Sequence, residues 1–78
     1  MSNTLPTLQR AIADLGETNT ERAERLKVTP RMVAWYLDGE HVPSVKTLKK
    51  AAIPELIDAL IIDLLAIHEE MLAAETPA

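Results

Sequence analysis

Seventy-eight residues without a cysteine make one small domain, with no disulfide to stiffen it and no thiolate to hold a metal. Aliphatic and small side chains dominate, aromatics are reduced to Trp35 and Tyr36, and only two glycines occur, a composition for helices rather than strands. The formal net charge of −4 excludes a uniformly basic surface, yet all eight Lys and Arg lie between Arg10 and Lys50, a span that is +2 overall, whereas residues 51–78 are −6 with no base.

The first helix is expected from about Leu5 to Leu15. Thr4 or Leu5 caps it, Pro6 is tolerated in its first turn, and Leu5, Leu8, Ile12 and Leu15 form one apolar stripe. Gly16 stands where a left-handed helix stop is wanted. The second helix opens on a capping box, Thr18 with Glu21 three residues on, and faces Ala23 and Leu26 inward. Lys27, Val28 and Thr29 make a turn. Thr29 then caps a third helix with Pro30 at its first position, where the missing N–H has no consequence. Val33, Tyr36 and Leu37 are its inner face, and Gly39 ends it. A loop, Glu40 to Pro43, leads to a fourth helix capped by Ser44 and carrying Val45, Leu48, Ala51 and Ala52. Pro54 restarts the chain as a fifth and longest helix that runs to about Ala74. The division expected is a head over residues 1–53, a long C-terminal helix over 54–74 packed on it, and a frayed tail over 75–78.

Two short helices at a tight turn, with small or apolar residues where they meet, are the parts of a helix-turn-helix. Such a unit reads base edges through polar side chains near the start of its second helix. Ala23 is small at the expected crossing, and Leu26, Val28 and Val33 close the seam. Arg31, Met32, Ala34 and Trp35 are left on the outer side.

On these residues the segment Thr18 to Ser44 resembles the Cro/repressor-like (Xre-type) helix-turn-helix family of phage repressors and bacterial regulators. Thr18, Glu21, Ala23, Leu26, Val28, Thr29, Val33, Tyr36, Gly39, Pro43 and Ser44 match the family pattern in order and without gaps. The resemblance spans roughly residues 5–53. It implies an all-α, compact five-helix domain of the lambda-repressor-like kind, here with a long C-terminal helix. It also implies double-stranded DNA as partner. Thr18, Asn19 and Thr29 would meet phosphates, Arg31 would pair bidentately with a guanine, and Met32 and Trp35 would pack on thymine methyls or sugar. His41, Lys46 and Lys49 would add backbone contacts. For Trp35 a protein-partner contact and half-buried packing stand beside the groove contact. Four positions depart from the pattern: Asn19 replaces a Gln, Arg22 an apolar residue, Lys27 the turn Gly, and Pro30 a residue that often touches a base. Arg22 is expected to leave helix two less buried or to snorkel outward.

On a helical wheel the long helix carries two apolar stripes. Leu56, Leu60, Leu64, Ile67 and Met71 form one, expected to cover the head. Ile57, Ile61, Leu65, His68 and Leu72 form the other, expected to pair with a second copy across a twofold axis. A homodimer of this kind presents two recognition helices about one DNA turn apart, to a near-palindromic operator. The alternative is a protein-interaction module of the same fold, antitoxin-like or regulator-binding, with weak or no DNA binding. An enzyme is not expected, for there is no nucleophile–base set, phosphate loop or ligand spacing. No metal, cofactor or small-molecule ligand is expected either. The start MSNTLPTLQR is not a signal peptide, and the richest apolar run is broken by Asp58 and Asp63, so the expected location is cytoplasmic and off the membrane.

Overall fold

In a computed structural model that describes residues 5–75, five helices follow one another: α1 (Pro6–Ala13), α2 (Asn19–Leu26), α3 (Pro30–Asp38), α4 (Val45–Ala51) and α5 (Pro54–Glu75). No strand occurs among the described residues, so the domain is all-α with a long C-terminal helix. None of these helices is long and apolar enough to cross a membrane. The expected Thr4 cap, and residues 76–78 of the expected tail, lie outside the described residues; Glu75 is helical.

Three helices, α2, α3 and α4, start where their local chemistry says they should. Thr18, Thr29 and Ser44 have extended backbone, and their hydroxyls accept from the backbone N–H of Glu21, Met32 and Thr47 three residues on. Such caps each contribute about 1 kcal/mol. The Glu21 carboxylate completes its box one residue earlier than expected, accepting from Glu17 N–H at 3.1 Å. Gly39 stops α3 with φ of 80°. Lys27 and Ala52 stop α2 and α4 in the same left-handed region, although neither is glycine.

Three ends are held from elsewhere in the chain. Leu5 offers α1 no side-chain cap. The carboxylate of Asp63, on α5, supplies it by accepting from Leu8 N–H at 2.8 Å and Thr7 N–H at 3.2 Å. At the other end of α1, Arg22 Nε donates to the carbonyls of Ala13 and Gly16 at 2.9 and 3.0 Å. Gln9 Nε2 donates to the last carbonyls of α3, Tyr36 O and Leu37 O. Arg22 is thus neither loosening α2 nor snorkelling outward. It turns in to close α1.

Gly16 is not the left-handed stop of α1, since Asp14 ends that helix with φ of −74°. Its role is spatial: a Cβ there would stand 2.7 Å from Glu21 Cβ, inside the first turn of α2.

The core gathers Leu5, Leu8 and Ile12, Ala23 and Leu26, Val33 and Tyr36, Leu48 and Ala51, and Leu56 and Ala59. α1 packs on α5 and α3, while α2 packs on α3 and α4. Val45 and Ala52 do not face it as expected; Val45 is 66 % exposed and Ala52 forms the helix stop.

The α5 helix leaves this core after its third turn. Leu56, Ala59 and Asp63 are buried, but every residue from Leu64 to Glu75 is exposed. At 1.5 Å per residue that outer segment is about 18 Å long. The molecule accordingly measures 48 × 22 × 19 Å with a radius of gyration of 13.7 Å, against roughly 11.5 Å for a compact chain of this length.

Candidate nucleic-acid interface

The α2–α3 turn is built on Ala23. Its carbonyl accepts from Lys27 N–H, which ends α2, and from Val28 N–H at 3.0 Å. Ala23 is 3 % exposed, a small residue buried where α2 packs on α3. Lys27 keeps the left-handed turn at φ 60°, a strain of about 1 kcal/mol for a residue with a Cβ. Its side chain is exposed, beside the buried Leu26 and Val33 of the seam.

Thr29 and Arg31 are exposed at the first turn of α3. Beside them runs a shallow groove lined by Lys27, Val28, Thr29, Met32, Thr47 and Lys50. Two cations thus flank the start of α3. Lys46 and Lys49 are exposed on α4 but outside this lining. Lys27, which the expected site lacked, lines this groove, and so does Lys50, for which phosphate contact and solvated charge stood equal. Their signal was position relative to the turn, which only the α2–α4 packing makes visible.

Met32 does not stand on the outer side. It is half-buried and packed against the core, at the floor of the groove, and Ala34 is half-buried as well. Asn19 is half-buried too, its Oδ1 accepting from Arg22 Nη1 at 2.7 Å. Thr18 is exposed while its Oγ1 caps α2. The Tyr36 phenol is pushed above its ordinary range of 10.0 by burial, an effect opposed by a hydrogen bond with the Thr47 side chain.

The outer side of α3 carries a row of three side chains. The Arg31 guanidinium lies over the Trp35 ring, 5.8 Å from its centroid. His41 meets the same ring edge-on, with centroids 4.9 Å apart and planes at 64°. Gly39 makes this return possible, since its left-handed turn lets Glu40 N–H and His41 N–H both reach back to Trp35 O. Arg31 and His41 are exposed and Trp35 is half-buried.

The two stripes of α5 fare differently from expectation. Only Leu56 and Leu60 of the first reach the head; Leu64, Ile67 and Met71 are 50, 37 and 58 % exposed. Ile57 of the second stripe is half-buried against the core, so it is part of the head rather than of a free surface. Ile61, Leu65, His68 and Leu72 are exposed. At about 100° per residue these four lie nearly opposite Leu56, Ala59 and Asp63. A body seated on them would not collide with the head.

No group of His, Asp and Glu among the described residues has a metal-holding arrangement. No family model matches the chain, and no curated protein or solved structure matches it either.

Proposed function

We propose that the protein is a sequence-specific DNA-binding regulator of the Cro/repressor-like kind, a small phage or bacterial repressor acting as a homodimer in the cytoplasm. The observation that carries this reading is the turn between α2 and α3. It projects the first turn of α3, with Arg31 exposed and Lys27, Thr29 and Lys50 around one groove. A convex helix start flanked by cations fits the major groove, where the cations meet phosphates and Arg31 meets a base edge. Thr18, Asn19, His41, Lys46 and Lys49 complete the proposed contact set. Met32, at the groove floor, acts by shape. The exposed face of α5 around Ile61, Leu65, His68 and Leu72 supplies the second copy, and hence the second half-site. Blocking a promoter needs no effector domain, and no chemistry is assigned.

A second reading has its own observation. The outer segment of α5 is apolar and belongs to the −6 portion of the chain, which suits a protein partner without DNA. Selection of bound duplexes from a random pool, alongside the mass in solution, separates the two. The expected result is an enriched inverted repeat bound by a particle of twice the chain mass. No enrichment at low salt would remove the DNA reading and leave the protein-interaction module.

A further inference from the structure

We propose that Trp35 is the positioning residue that sets guanine specificity, by holding the Arg31 side chain in its reading pose; this rests on the DNA-binding function above. Side chains on a helix lean toward its N-terminus, so the ring of Trp35 leans back over the turn that bears Arg31, four residues earlier. The guanidinium lies 5.8 Å from the ring centroid, within cation–π range. A free arginine head samples many rotamers, and each must be given up on binding. Resting on an indole face, it keeps its planar donor edge free for the O6 and N7 of a guanine. The ring has a second neighbour, His41, which packs edge-on at 4.9 Å between centroids.

His41 cannot drift far, because its N–H is tied to Trp35 O at 3.4 Å through the Gly39 turn. The row is therefore a brace that runs from the loop through the indole to the arginine. It contributes little to the stability of the head, since Arg31 and His41 are exposed, where such contacts are weak. Its effect falls on the base that Arg31 faces.

The test is a double-mutant cycle on duplex binding. The probes are a labelled duplex carrying the selected inverted repeat and the same duplex with the Arg31-dependent guanine changed to adenine. Trp35→Met removes the ring while keeping an apolar side chain, and Trp35→Leu serves if that variant does not fold. Guanine-over-adenine discrimination is expected to fall about 2- to 5-fold, the size of an exposed cation–π contact. Trp35→Phe, which keeps a ring face, should restore most of it. In an Arg31→Ala background, Trp35→Met should change discrimination no further. Equal losses with and without Arg31, or unchanged discrimination in the ringless variant, would overturn the positioning role while leaving DNA binding intact. Absence of duplex binding by the unaltered protein would overturn both.

Discussion

Asp63 is buried in an otherwise apolar interface, and its two oxygens are spent on two backbone donors. Removing the carboxylate leaves the first turn of α1 unsatisfied and opens a gap beneath α5. Asp63→Ala should therefore cost about 2–4 kcal/mol, a large share of the roughly 5–15 kcal/mol that holds a domain together; urea unfolding of the variant reads it. Lys27 makes the opposite case. Its left-handed φ of 60° suits glycine, so Lys27→Gly should raise stability by about 0.5–1 kcal/mol while weakening duplex binding. A gain in both would contradict its place at the groove. Tyr36 ties stability to alkaline pH. Its phenol ionises above the unfolded value of 10.0 because burial disfavours the phenolate. Past that value the unfolded chain binds fewer protons than the folded one, so this contribution is full below pH 10.0 and is lost as pH rises through the folded pKa. Urea midpoints should fall above pH 10.0, and Tyr36→Phe should blunt the fall.

Local chemistry made the elements legible. Thr18, Thr29 and Ser44 each find their donor three residues on, and Pro30 and Gly39 bracket α3 by backbone preference alone. These signals lie within one turn of chain. The caps from Asp63 and Gln9 join partners 27 to 56 residues apart, which no short window of sequence contains, while Arg22 reaches back over six to nine residues to carbonyls that no pattern marks. The nearness of Lys27 to Lys50 across one groove was hidden for the same reason. Periodicity read the fifth helix correctly as a helix but misjudged its cover. A stripe of Leu and Ile records an apolar face, not the length of the body it rests on, and the head ends near Asp63. Beyond that point α5 presents Leu64, Leu65 and Met71 at 50–58 % exposure. A patch of this kind marks an interaction surface. Leu65→Glu should halve the solution mass with the thermal midpoint of the head nearly unchanged, as expected for a substitution at an exposed site. An unaltered mass would remove α5 as the dimer contact.

Across the whole molecule, charge is sorted along the long axis. The head carries the excess of cations and the outer helix only acids. On the proposed reading this sorting draws a duplex to the head and away from the outer helix before contact. On the proposed reading, in which Lys27, Lys50 and their neighbours in two protomers pair with phosphates, duplex affinity should fall by about 10³-fold or more between roughly 50 and 200 mM salt. A flat salt response, measured by anisotropy of a labelled duplex, would exclude phosphate pairing.

The carboxylate that closes α1 has a consequence for how the protein is made. Asp63 follows Leu8 by 55 residues, so at ordinary synthesis rates the start of the head waits roughly 3–11 s for its cap to be translated. During that interval α1 has an open end and its apolar stripe has no α5 to lie on. A chain that stops short of Asp63 therefore lacks the closure of α1.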